Sequence, residues 1–311
     1  MRRARLLPAA GLLLACAAQG AQAPEEPPGV SLSNPDQEST EAAPTVPSVP
    51  PTPPPAPPPA EPDRTQPPWS QTVVAPVADG AVERGTRAEG RRLRLGTSRG
   101  AVHVWLPRGY APRTAGVVVY VHGYFTSVDQ AFVDHRLAEQ FRDSGRNALF
   151  VAAEAPSWNG EGVAWPGLAE LLGEVAARAQ LGLPQGPVVV AGHSGAIRTV
   201  LPWLVHPRVE EILLLDGLYR GEDELAAWLG GAPAGRRRLL LVGQETARRT
   251  EAWLPSVPGA RFHPALPDRA VTARDRRAAV VYWRSQLDHM ALVERGTVLP
   301  MLLRATRLGG L

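Results

Sequence analysis

The sequence predicts an α/β fold built on a mostly parallel, doubly wound sheet. Three observations carry this. Two alternating apolar/polar segments flank Thr97-Ser98-Arg99-Gly100 and read as an antiparallel hairpin. Short β-branched runs then alternate with segments of helical periodicity to the end of the chain. One of those runs, Pro187-Val188-Val189-Val190-Ala191, passes directly into Gly192-His193-Ser194-Gly195-Ala196 and a helix-compatible stretch, Ile197-Arg198-Thr199-Val200-Leu201.

In chain order, the hairpin strands fall at 91–96 and 101–106. The continuous apolar run at 117–121 suits a strand covered on both faces. Phe132, Val133, Leu137 and Phe141 are spaced for one helix over 129–143, stopped by Ser144-Gly145. A strand at 148–152, a helix at 168–181 and the strand at 188–191 follow. Further strands are expected at 211–215, 239–242 and 279–283, with helices at 222–229, 268–278 and 297–307. The interval between the strands at 211–215 and 239–242 holds one short helix and no large cap domain.

The 311 residues suit one large α/β domain with additional segments, and 44% hydrophobic content supports a substantial core. Net charge is only +3, and all 33 basic residues are Arg. The Arg clusters, such as Arg236-Arg237-Arg238, lack interleaved aromatics and read as solvated faces, so a nucleic-acid partner is not expected. Cys16 is the single cysteine, which excludes an intrachain disulfide and a cysteine metal site. None of the seven histidines stands four residues from another in a His-x-x-x-His pair, so no metal is expected, and no cofactor motif is present.

Arg2, Arg3 and Arg5 precede an apolar stretch too short to span a bilayer, and residues 1–15 read as a signal peptide. Residues 16–70 form a proline-rich linker. The part from Pro24 to Pro68 carries 17 of the 33 prolines and few large apolar residues, and it cannot bury enough surface to offset its ordering entropy. The folded domain is assigned to 71–311.

A serine on a strand-to-helix turn requires small residues on either side of it. Gly192 and Ala196 satisfy this two positions before and after Ser194. Gly195 leaves its N–H open toward a developing oxyanion. The motif and the order of elements resemble the α/β-hydrolase superfamily across residues 85–311, and the chain looks closest to small secreted bacterial hydrolases. The resemblance implies Ser194 as nucleophile. It implies His289, in the loop after the last strand, as the base, with an acid between the two in sequence. Asp216, directly after the strand at 211–215, is the preferred acid, with Glu245 in the next such loop as the alternative. Asp288 is a third candidate for the acid, and His263 a competing base. The Val121-His122-Gly123-Tyr124 turn resembles the family's oxyanion turn, which makes Tyr124 and Gly195 the expected N–H donors and leaves His122 a structural role. Trp158 and Trp165 are candidates for an apolar rim.

Leu13-Leu14-Ala15-Cys16 resembles the lipobox of bacterial lipoproteins, which implies lipidation of Cys16 and an extracytoplasmic chain held at a bacterial membrane. The expected activity is carboxylic-ester hydrolysis through an acyl-enzyme, on a small-molecule or envelope-polymer ester. Envelope amide or peptide hydrolysis, or a catalytically silent surface-binding module, are the alternatives.

Overall fold

The computed structural model describes residues 78–268 and 270–311. The signal peptide, Cys16 and the linker expected at 16–70 lie outside the described residues.

One ten-stranded sheet organises the domain. β1 (Val82–Arg87), β2 (Gly90–Thr97) and β3 (Gly100–Leu106) run antiparallel, and β3 pairs antiparallel with β5 (Ala148–Ala153). The remaining pairings are parallel and involve β4 (Gly116–Val121), β6 (Val188–His193), β7 (Val209–Leu215), β8 (Arg238–Gly243), β9 (Arg261–His263) and β10 (Val280–Arg284). The spatial order is β1-β2-β3-β5-β4-β6-β7-β8-β10-β9. This is the α/β-hydrolase fold. Only turns and α5 (Glu222–Gly230) separate β7 from β8, so no large cap is inserted there.

Strand periodicity divides the apolar residues into two cores. Val117, Val119 and Val121 of β4 face α3 (Leu168–Ala179), α4 (Ile197–Trp203) and α5, with Leu171, Val200, Trp203 and Leu225 in that layer. Val118 and Tyr120 face α1 (Val128–Asp134), α2 (Leu137–Ser144), α8 (Ala291–Glu294) and α9 (Val298–Ala305), where Phe132, Phe141, Leu292 and Leu302 pack. The central strands are therefore buried on both sides, which explains their unbroken apolar runs.

Several expected elements differ. The single helix over 129–143 is two, broken where Arg136 adopts φ 50. The break has a polar cause: the His135 ring binds the Tyr120 hydroxyl at 2.8 Å, and Gln140 Nε2 donates to the His135 carbonyl at 2.5 Å. The helix expected at 268–278 shrinks to α7 (Ala273–Arg277), whose start is fixed by Thr272 accepting the Asp275 N–H. The last helix, expected over 297–307, ends at Ala305, and the short α8 precedes it. β1, β9 and α6 (Ala247–Trp253) have no counterpart in the sequence reading. β1 (VERGTR) is an exposed edge with no apolar alternation to detect.

At the end of the sheet away from the β7 and β8 C-termini, Glu211 and Arg238 sit side by side in the parallel register and are fully buried. Arg238 donates to Glu211 at 2.6 Å and to the carbonyls of Ala278 and Ala305 at 3.1 and 3.0 Å, while the Arg307 N–H reaches Glu211 at 2.7 Å. The pair thus closes the C-terminal ends of α7 and α9 onto the sheet. Arg238→Met would strand a buried carboxylate and is expected to destabilise the fold by about 3–5 kcal/mol in urea unfolding of the full chain. A loss below about 1 kcal/mol would show that the pair does not hold these ends.

Candidate active site

The strand-to-helix junction at β6 is tight for steric reasons that the sequence meets residue by residue. Ser194 adopts φ 54, a left-handed conformation that costs a side-chain-bearing residue about 1–2 kcal/mol. A Cβ on Gly195 would lie 2.6 Å from the Tyr124 ring, and one on Gly123 would lie 2.7 Å from Ser194 Cβ. Both positions are therefore closed to side chains. The close approach sets the 123–124 turn directly against the serine. A Cβ on Gly192 would lie 3.1 Å from Ala196 Cβ and 3.2 Å from Val200, tighter than ordinary contact, in line with the small-residue requirement.

Ser194, Asp216 and His289 follow β6, β7 and β10, and Tyr124 lies just beyond β4, so the C-terminal ends of parallel strands bring them together. His289 Nδ1 lies 2.8 Å from Asp216 Oδ2. The buried Asp216 carboxylate also accepts the N–H groups of Gln244 (2.9 Å), Glu245 (3.1 Å) and Thr246 (2.9 Å) and the Thr246 hydroxyl (2.8 Å). An ionised acceptor so surrounded orders the proton on Nδ1 of His289 and leaves Nε2 free as a base.

Glu245, the alternative acid, has its carboxylate 3.7 Å from the same Nδ1 and accepts the Tyr219 hydroxyl at 2.9 Å. Asp288 caps α8 through the Ala291 N–H (2.8 Å). His263 sits on edge strand β9 against Asp275 (2.9 Å). Asp216 does not cap the helix that begins after Gly221; its acceptor capacity goes to residues 244–246.

Ser194 Oγ makes no hydrogen bond to the His289 ring among the described residues, and it neighbours the Tyr219 hydroxyl. In unliganded enzymes such contacts are commonly long and close when substrate binds. The two residues are tied through His193, whose Nε2 donates to the His289 carbonyl at 3.1 Å and whose ring lies tilted against that of His289 at 4.6 Å between centroids.

The amides of Tyr124 and Gly195 take no part in the loop, turn and cap hydrogen bonds of the described residues, which leaves both as donors beside Ser194. His122 shapes this turn from below. It is buried, with Nδ1 2.7 Å from the Gly123 carbonyl and Nε2 2.8 Å from Glu154 Oε1 and 3.0 Å from the Ala155 nitrogen. The Phe125 N–H is tied to the Ser157 carbonyl at 2.6 Å.

Electrostatics follow the geometry. Burial alone would raise the Asp216 pKa, but the hydrogen bonds from His289 and the 244–246 amides hold it below the ordinary carboxylate range. For His289, burial opposes the charged form, yet the Asp216 bond and charge, with Glu245 and Asp288, outweigh it and raise the pKa above 6.5. Burial drives His193 well below 6.5, with charge on the neighbouring His289 acting in the same direction, so it stays neutral. His135 falls to about 3, mainly through burial.

Asp216, Glu245 and His289 present ligand atoms within 4.8 Å of one another. Both Asp216 oxygens already accept two or more hydrogen bonds, and the shared His289 Nδ1 carries the proton between them. The cluster is built to handle a proton rather than to hold a cation.

Trp158 is exposed, as a rim residue should be, but Trp165 is not. It is buried in the core, and its carbonyl accepts the Trp203 indole N–H at 2.7 Å. Tyr219, Phe125, His193 and Arg198 were not singled out from the sequence. None lies in a spacing that marks chemistry, except that Arg198 stands one helical turn after Ser194.

No family profile and no curated protein matches the chain. Among solved structures, the chain is similar to a feruloyl esterase module from Clostridium thermocellum complexed with sinapinate (13% identity, 72% of this chain and 86% of that one, TM-score 0.48). It is also similar to a thermophilic carboxylesterase from a metagenomic library (16% identity, 72% and 90%, TM-score 0.43). A hyperthermophilic esterase from Pyrobaculum calidifontis gives 15% identity over 75% and 88%, with a TM-score of 0.42. What this chain does is read from its own side chains.

The raised His289 pKa sets a sign for the pH response. The unprotonated base is lost on acidification, so kcat/KM should fall with an acid limb centred above pH 6.5. Glu245→Gln removes one facing carboxylate while Asp216, Asp288 and neutral His193 remain, and it should move that limb downward. An unmoved limb in a folded variant would show that Glu245 does not act on the imidazole.

Proposed function

We propose that the chain is a serine hydrolase of carboxylic esters acting through an acyl-enzyme. The observation that carries this is the 2.8 Å contact between His289 Nδ1 and the buried Asp216, beside a serine held at φ 54. Ser194 Oγ attacks the ester carbonyl carbon while His289 Nε2 takes its proton. The carbonyl oxygen becomes an oxyanion facing the Tyr124 and Gly195 N–H groups. Collapse breaks the acyl C–O bond, and the imidazolium returns the proton to the departing alcohol. Water then enters by the same route, giving up a proton to His289 and releasing the acid and free Ser194. Asp216 stays ionised throughout and stabilises the imidazolium. The absence of a large insertion between β7 and β8 leaves the site open to bulky esters, envelope polymers included.

The proposal extends to location: an extracytoplasmic enzyme lipidated at Cys16 and tethered to a bacterial membrane by the proline-rich linker. Among the described residues no helix is long and apolar enough to cross a membrane.

Ser194→Ala is expected to lower ester turnover on the order of 10⁴-fold or more and to abolish fluorophosphonate labelling. Asp216→Asn should lower kcat by several orders of magnitude by favouring the wrong tautomer. Near-normal turnover in folded Ser194→Ala would end the serine reading, and labelling without ester turnover on any acyl chain would turn it toward amides.

Cys16→Ser should shift the protein out of the membrane fraction with the catalytic constants intact, since each buried CH₂ of the acyl chains contributes about 0.8 kcal/mol to anchoring. Equal membrane retention of both forms would place the anchor elsewhere.

A further inference from the structure

We propose that Phe125 and Trp158, carried on a pre-set lip beside Ser194, form a platform that binds a planar aromatic ring of the ester; this rests on the ester-hydrolase reading above. The lip comprises Tyr124, Phe125 and residues 157–161, and three observations point to a ligand.

The first is exposure. Phe125 is 51% exposed and Trp158 55% exposed, and Tyr219, which neighbours Ser194, is 40% exposed. Large rings displayed to water leave apolar surface uncovered by the chain itself.

The second is rigidity. Arg198 reaches from α4 with its guanidinium and donates to the Tyr124 hydroxyl (3.2 Å), to the carbonyls of Trp158 (3.3 Å) and Asn159 (2.7 Å), and to that of Glu161 (2.7 Å). Glu161 in turn accepts the Ser157 N–H (2.6 Å) and hydroxyl (3.0 Å). The Trp158 ring packs against Gly160, where an added Cβ would stand 1.9 Å from it. Phe125 is held at φ 61, a backbone region that bulky side chains avoid. A loop ordered to this degree presents its rings without loss of entropy on binding.

The third is chemistry. The Arg198 NH1 and NH2, both Glu161 carboxylate oxygens and the Ser157 hydroxyl are engaged within the lip itself. Besides the exposed Asn159 amide, whose Oδ1 accepts the Tyr124 hydroxyl at 3.3 Å, and the Trp158 indole N–H, what remains facing outward is π surface. A sugar face needs several hydroxyl partners beside the stacking ring, and the lip offers one side-chain amide; an aromatic ring is served by the faces and edges displayed here.

The ring could belong to the acyl or the alcohol half, and paired substrates separate the two. Proton release is followed for ethyl 3-phenylpropanoate against ethyl octanoate, and for 2-phenylethyl acetate against hexyl acetate. In wild type, one pair is expected to favour the ring-bearing ester. Trp158→Ala should reduce that preference about three- to tenfold in kcat/KM, mainly through KM, and Trp158→Phe should restore most of it. The pair that responds identifies the half that carries the ring. If the ratio within both pairs is unchanged by Trp158→Ala, the platform is overturned. A larger loss on a peracetylated sugar than on either aromatic ester would overturn it as well. Wild type that hydrolyses none of these esters and resists fluorophosphonate would instead sink the ester reading, a result distinguishable from failure of the platform alone.

Discussion

The upper end of the sheet depends on one buried carboxylate. Asp216 leaves β7 at φ 48 and gathers three successive amides from the loop after β8, a threonine hydroxyl, and the imidazole from the loop after β10. Desolvating a carboxylate is unfavourable, and charge-assisted bonds from five donors offset it. The same bonds fix where the 244–246 loop lies, start α6, and orient the histidine. The orientation of His289 and the structure of the 244–246 loop therefore rest on one carboxylate.

Beneath this contact runs a column of polar rings inside the apolar layer. The Tyr120 hydroxyl binds His135 Nδ1 at 2.8 Å, His135 meets His193 edge-on at 5.9 Å, and His193 supports His289 through its carbonyl. Gln140 joins from α2, donating to the carbonyls of His135 and Val293. With His135 and His193 both held neutral by burial, the column adds hydrogen bonds without adding charge near Asp216. It also explains why α1 and α2 are separate helices: the polar demand at His135 and Gln140 outweighs the helical periodicity of their apolar neighbours.

Much of this was legible in the sequence wherever the constraint was local. The elbow could be read because its steric demand falls on residues two apart, and the central strands because burial on both faces leaves long apolar runs. His289 could be placed by its position after the last strand. The acid was harder. Asp216 and Glu245 both follow strands in acceptable loops, and what separates them is a set of amides donated across 28 to 30 residues, which no local pattern records. Trp158 and Trp165 stand in the same loop with the same chemistry, but Trp203 from α4 draws one into the core and leaves the other outside. The lip as a unit was invisible because Arg198 assembles it from contacts 37 to 74 residues away.

Arginine is the only basic side chain apart from histidine, and the structure uses its planar fork where an ammonium would not suffice: Arg198 spans a loop, Arg238 joins two helix ends, and Arg146 bridges the carbonyls of Leu303 and Leu308. This has a bearing on alkaline media. With no lysine to discharge, and with the Tyr110, Tyr120, Tyr219 and Tyr282 hydroxyls all pushed upward by burial, few described side chains change charge between neutrality and strong base. The guanidinium clamps thus keep their hydrogen bonds on the side of neutrality where the imidazole is unprotonated.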